Sequence, residues 1–125
     1  MSVSQEQSKL AVLLVEDDWL VRHTIAEFLN AAGHTTVEAE SGEAALSVLQ
    51  QRDGLDLLFT DIRLGGTING WDVAEAFRAT HPNFPVIYTS GAVISPERPV
   101  AGSMFFTKPY DPQMVLAAFL NLSQG

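Results

Sequence analysis

Cysteine is absent from this 125-residue chain, which removes disulfides, thiolate metal sites and thiol nucleophiles together. That absence suits a reducing compartment, and a cytoplasmic protein is expected. Basic residues are scarce: seven Lys and Arg stand against fifteen Asp and Glu, a formal net charge of −8. Such a balance repels nucleic acid phosphates and anionic membrane surfaces, so no direct nucleic acid or membrane partner is expected. Long apolar runs are missing too. The early run at residues 10–15 is far too short to cross a bilayer, and the polar segment before it lacks the positively charged start of a secretion signal.

What the chain does have is 46% hydrophobic residues and the length of one ordinary globular domain, enough to bury a core without staples. Residues 1–9 show no periodicity and read as a flexible tail, leaving 10–123 as the folded domain. Three runs, at 10–15, 55–60 and 85–89, are apolar nearly throughout, the pattern of strands buried on both faces. Two weaker strands are expected at 34–39 and 103–107.

Helical spacing fills the gaps. The first helix carries Val21, Ile25, Phe28 and Leu29 on one face and stops before Gly33. A second opens at Ser41 and turns Ala45, Leu46 and Leu49 inward; a third begins near Gly70, with Val73, Ala74 and Phe77 inward and Pro82 beyond its end. The last opens with Asp111 as N-cap and Pro112 in first position, then presents Val115, Ala118, Phe119 and Leu122. Strand and helix alternating over the whole chain imply an α/β fold of the (βα)5 type, a parallel sheet wound on both faces. In such sheets ligands collect at the carboxyl ends of the strands.

Those ends are rich in chemistry. The first strand runs into Glu16, Asp17 and Asp18, the third into Asp61, the fourth into Thr89 and Ser90, and the fifth into Thr107, Lys108 and Pro109. Clustered carboxylates repel one another unless a cation bridges them, and hard oxygen donors suit Mg²⁺, with Mn²⁺ as an alternative. A carboxylate beside such an ion can attack a phosphoryl group while a nearby Lys neutralises the equatorial oxygens. Asp61, alone at the end of the middle strand, is the candidate nucleophile; Ser90 can donate to a phosphoryl oxygen and Lys108 can supply fixed positive charge.

Residues 10–122 resemble the receiver domains of bacterial two-component response regulators, the chemotaxis receiver among them. The matching motifs are Leu-Leu-Val-Glu-Asp-Asp at 13–18, Asp61 at its strand end, Pro-Val-Ile-Tyr-Thr-Ser-Gly at 85–91 and Phe-Phe-Thr-Lys-Pro at 105–109. The resemblance implies a flavodoxin-like five-stranded sheet in the order 2-1-3-4-5. It also implies a phosphoacceptor that takes its phosphoryl group from a histidine kinase or a histidine phosphotransfer protein, and that signals through a downstream protein target or drains phosphoryl groups from a shared kinase. On that pattern Glu16 and Asp17 are the acidic pair for Mg²⁺, Asp61 the phosphoacceptor and fellow ligand, and Arg63 the donor of a main-chain carbonyl to the metal. Ser90, five residues after Pro85, is the switch hydroxyl, with Thr89 as the alternative; Lys108 contacts the phosphoryl group, and Phe105 is the rotating aromatic.

Each feature also has an ordinary structural reading. Acids before a helix are commonly caps, and Asp18 is assigned that role. Phe105 and Phe106 are equally what a strand shows when one aromatic enters the core and the other is covered by a helix. His23, His34 and His81 lack metal-ligand spacing and are expected at the surface or at helix ends. Trp19 and Trp71 fit packing or interface anchors.

Two departures from the family pattern stand out. After Asp61 the chain reads Ile-Arg-Leu-Gly-Gly-Thr-Ile-Asn-Gly, without the usual nearby Pro and one residue longer than common; two glycines predict a more mobile loop, and Arg63 is expected to reach over the acyl phosphate. Between Ser90 and Lys108 the chain is short and holds Pro96 and Pro99, so the fourth helix is expected to be short or irregular.

An enzyme that turns over an aspartyl phosphate usually carries a second acid two residues after the nucleophile; Arg63 stands there, so a signalling phosphoacceptor is expected rather than a phosphatase. Because the chain stops at Gly125, just past the last helix, a single-domain protein without its own output module is expected, the terminal receiver of a hybrid kinase being the alternative.

Overall fold

The apolar runs form the interior of a parallel sheet. The computed structural model describes residues 9–91 and 98–124, with backbone only at 120 and 122–124. Strands β1 (Ala11–Val15), β2 (Thr35–Ala39), β3 (Leu57–Asp61), β4 (Val86–Ser90) and β5 (Met104–Thr107) pair in the order β2-β1-β3-β4-β5, every pair parallel. The helices among the described residues are α1 (Trp19–Ala31), α2 (Gly42–Gln51), α3 (Gly70–Thr80) and α4 (Pro112–Gln124). This is the flavodoxin-like arrangement.

Burial follows position in the sheet. β3 and β4 are buried along their whole length and β1 from Val12 onward, whereas the edge strands β2 and β5 are half exposed. Alternate side chains feed two cores. Leu13, Val15, Leu58 and Tyr88 meet Ala45 of α2 and Val73, Ala74 and Phe77 of α3. Val12, Leu14, Phe59 and Ile87 meet Ile25, Ala26 and Leu29 of α1 and Val115, Ala118 and Phe119 of α4. Full burial of one such side chain contributes about 1.5–3 kcal/mol, so both faces hold the sheet between helix pairs.

The helices start where side chains can satisfy their free amides. Asp18 accepts from the amides of Leu20 and Val21, Ser41 from Ala44, and Asp111 from Gln113. Asn69 and Asp72 exchange side-chain and backbone bonds at the start of α3. Gly33 ends α1 at φ 98°, a conformation closed to most residues.

Several expectations need correction or relocation. β3 begins two residues later than the sequence pattern suggested and takes in Asp61, while Leu55, outside the strand, is still fully buried. His34, expected at the surface or at a helix end, does follow the end of α1 but is a core residue, 5% exposed. Its Nδ1 accepts the Leu10 amide at 3.1 Å and its ring meets Phe119 edge-on, so burial costs it no hydrogen bond and holds its pKa below the usual histidine value. His23 and His81 do lie on α1 and at the end of α3. The expected tail at 1–8, the inward side chain of Leu122, and residues 92–97 of the segment expected to replace a full fourth helix lie outside the described residues. From Arg98 to Ser103 the chain is non-helical: Val100 donates its amide to the Tyr88 hydroxyl, and Arg98 bonds Asp72 and Glu75 of α3.

Candidate functional site

Glu16 is the fixed point from which the site is built. As β1 ends, its amide donates to the Ala39 carbonyl at 3.1 Å, extending the ladder by one rung. Its carbonyl accepts from Nη1 of Arg22 at 2.9 Å, and Nε of the same guanidinium bonds Glu38 at 3.0 Å. Its carboxylate accepts the Asp18 amide through Oε2. Backbone and side chain are therefore both held, and only 4% of the residue is exposed. Asp17, next along, is exposed.

Asp61 closes β3 and is 7% exposed. The following amide, that of Ile62, donates to the Thr89 carbonyl, so the strand end stays in register with β4. Lys108 comes from beyond β5. Its amide donates to the Ser90 carbonyl at 2.7 Å, and the peptide bond to Pro109 is cis. Its Nζ donates to Glu16 Oε1 at 2.7 Å and to Asp61 Oδ2 at 3.0 Å.

Glu16, Asp17 and Asp61 present one carboxylate oxygen each within 4.8 Å of one another. With one ammonium among them, two negative charges remain unbalanced. Burial pushes the Glu16 carboxyl up, with Asp61 adding repulsion, and the Lys108 bond offsets this only in part. Burial works against the Lys108 ammonium, yet its bonds to Glu16 and Asp61 outweigh that and leave its pKa raised. An all-oxygen, doubly negative cluster open to solvent at Asp17 fits a hard divalent cation.

The remaining expected residues surround this cluster. Ser90 is buried and lies opposite Thr107 of β5, while Thr89 lies opposite Asp61 and lines a small cavity with Asp61 and Glu16. Both candidate hydroxyls therefore sit at the strand end. Arg63 is exposed on the loop after Asp61. Phe105 is half-buried against Trp71 and Tyr88, with ring centroids at 6.2 and 5.8 Å, and Phe106 turns to the opposite face toward Tyr110. Trp71 is a packing residue, whereas Trp19 is 64% exposed.

Two residues of the site were not foreseen. Arg22 carried a signal: a cation near a helix N-terminus opposes the helix dipole, so its presence there implies an anionic or carbonyl partner. Tyr110 carried none. It packs on Phe59 and lines the cavity under Glu16 and Asp61; burial pushes its phenol up to about 12, which keeps the proton on the oxygen. Beyond it a groove of about 590 Å³ opens between α1 and the β5–α4 connection, lined by Leu20, Val21, Ile25, Lys108, Pro109 and Tyr110. Leu20, which lines the groove from α1, is exposed, as are Trp19 on α1 and Met114 on α4. Among the described residues no helix is long and apolar enough to cross a membrane.

Comparison with known proteins gives a consistent picture. The sequence profile of the response regulator receiver domain matches residues 12–119. The response regulator protein FleR of Pseudomonas aeruginosa is 33% identical over 110 residues, covering 84% of this chain and 23% of that protein. Sensor kinase CckA of Brucella abortus is 35% identical over 81 residues, 64% of this chain and 8% of the kinase. Among solved structures, a response regulator receiver protein from Sinorhizobium medicae superposes with a TM-score of 0.88 at 27% identity, covering 94% of this chain and 96% of that one. The chain thus spans less than a quarter of the length of either curated relative.

Proposed function

The chain belongs to the response regulator receiver domain family, a family of phosphoacceptors in two-component signalling, and from that premise we propose that Asp61 is its phosphoryl acceptor. The observation that carries this reading is the position of the Lys108 ammonium, 3.0 Å from Asp61 and 2.7 Å from Glu16 at the open ends of the strands.

In the proposed reaction a carboxylate oxygen of Asp61 attacks the phosphorus of a phosphohistidine. A P–O bond forms, the P–N bond breaks, and the departing imidazole nitrogen takes its proton from solvent. Glu16, Asp17, Asp61 and the main-chain carbonyl of Arg63 would hold Mg²⁺, or Mn²⁺ in its place, which supplies positive charge against the phosphoryl oxygens. Lys108, already poised on Asp61, follows the incoming group and donates to one of its oxygens. Ser90 donates to another, and Phe105 then turns toward the space that its hydroxyl leaves. Arg63, and no carboxylic acid, stands two residues after Asp61, so the chain holds its phosphoryl group rather than turning over a substrate.

The donor is a histidine kinase or histidine phosphotransfer protein in the cytoplasm, and it docks over the groove beside α1, where Trp19 and Leu20 are exposed. That groove shares Lys108 with the phosphoryl site, so a donor seated there reaches Asp61. Output passes to a downstream protein through the surface around β5 and Phe105.

The decisive test is incubation with Mg²⁺ and acetyl phosphate, or with a beryllofluoride mimic, followed by intact mass and a spectrum sensitive to conformation. The parent should gain one phosphoryl group and change its spectrum, and Asp61→Asn should do neither. Equal behaviour of the two proteins would sink the reading.

A further inference from the structure

The loop after Asp61, one of the two departures from the family pattern, is held at two points on α2 and passes close to Asp17. Ile68 is seated on the first residue of α2: a Cβ on Gly42 would lie 2.5 Å from both the Ile68 side chain and its carbonyl oxygen. One residue on, the Glu43 carboxylate accepts from the Thr67 amide at 3.3 Å and from the Thr67 hydroxyl at 3.1 Å. Gly66 passes directly beneath that carboxylate, since a Cβ there would lie 2.7 Å from Glu43 Oε1. Upstream the loop passes Asp17, whose Oδ2 would be 3.5 Å from a Cβ on Gly65. Gly42 and Gly66 allow α2 and this loop to approach closely.

We propose that Glu43 is a positioning residue for the metal and phosphoryl site: it holds the loop carrying Arg63 against Asp17 and so sets where the Arg63 carbonyl stands relative to Glu16, Asp17 and Asp61. This rests on the reading of those residues as metal ligands. Loops without such restraint must be ordered when the ion binds, and that ordering weakens affinity. Losing one hydrogen-bonded contact commonly changes an equilibrium by roughly twofold to tenfold. Gly66 belongs to the same device, because a methyl group there would evict the Glu43 carboxylate while leaving the backbone conformation allowed.

The test is Mg²⁺ titration by calorimetry of the parent, Glu43→Ala, Glu43→Gln, Gly66→Ala and the Glu43→Ala/Gly66→Ala double variant, with Asp17→Asn as reference. Thermal unfolding without Mg²⁺ reports folding separately. Glu43→Ala and Gly66→Ala should each weaken Mg²⁺ binding by roughly twofold to tenfold. The double variant should be no worse than either alone, as expected when two changes break one contact. Glu43→Gln should stay near the parent, since its amide oxygen still accepts from Thr67. Parent-like affinity in Glu43→Ala, with Asp17→Asn impaired, overturns the clamp and leaves the site standing. Additive losses, or Glu43→Gln as weak as Glu43→Ala, overturn it too, the latter in favour of simple charge. A parent that takes no Mg²⁺, or an Asp17→Asn variant that binds as well, overturns the site and the clamp together.

Discussion

Gly70, the first residue of α3, lies so close to Asp61 that a Cβ on it would collide with the Asp61 carbonyl oxygen and crowd the Cα of Ile62. The Gly70 amide returns to the Ile62 carbonyl at 2.8 Å, so the chain leaves the acceptor strand, loops out and comes back against its own end. The start of α3 thus forms one wall behind the candidate acceptor.

Gly70→Ala has only backbone to push against. It should therefore cost about 1–3 kcal/mol or more, the range of overpacked interiors. Urea unfolding followed by circular dichroism gives the number. A midpoint equal to that of the parent would show that the strand end gives way freely.

Lys108→Met leaves Glu16 and Asp61 facing each other without their shared ammonium. Phosphorylation by acetyl phosphate at fixed Mg²⁺ should slow by roughly 10²-fold, the scale seen when one preorganised donor to a developing anion is lost. Added Mg²⁺ should raise the melting temperature of the variant more than that of the parent. Equal rates of phosphorylation would remove Lys108 from the reaction.

His34 sets a pH dependence of stability. Its folded pKa lies below its unfolded value, so the unfolded chain binds the proton more readily. Its contribution is complete above about pH 6.5, the ordinary histidine value, and is lost as pH falls from there through the folded pKa. His34→Gln, which can still accept from Leu10, should flatten the fall in unfolding free energy between neutral and mildly acid pH. A curve parallel to that of the parent would assign the fall to other groups.

Trp19→Ala and Leu20→Ala should weaken phosphoryl transfer from a phosphohistidine protein by tenfold or more, since exposed aromatic and aliphatic anchors commonly dominate docking. Labelling by acetyl phosphate, which needs no docking face, should be unaffected. Equal losses with both donors would place the effect inside the pocket instead.

The sequence was most readable where chemistry is local. Continuous apolar runs in β1, β3 and β4 and the 3.6-residue spacing of the helices follow from burial alone, and Asp18 and Asp111 cap their helices as their positions suggest. Glu16, Asp61 and Lys108 could be gathered because parallel strands deliver their ends to one edge. His34 could not be read, since its partner is the amide of Leu10, 24 residues away, and nothing adjacent to it marks a buried site. The same separation hid Glu43 from Thr67. Glycine pairs say that the backbone has room to move, yet only the fold reveals whether a neighbour fills that room.

The seat of Ile68 on Gly42 also limits how such domains can be recombined. A shorter loop borrowed from a relative for residues 62–69 would arrive without its counterpart on α2, leaving position 42 uncovered and Glu43 aimed at nothing. A longer side chain at 42 would in turn refuse the native loop. Grafts across this junction should succeed only when the two segments, 42–43 and 62–69, are exchanged as a pair.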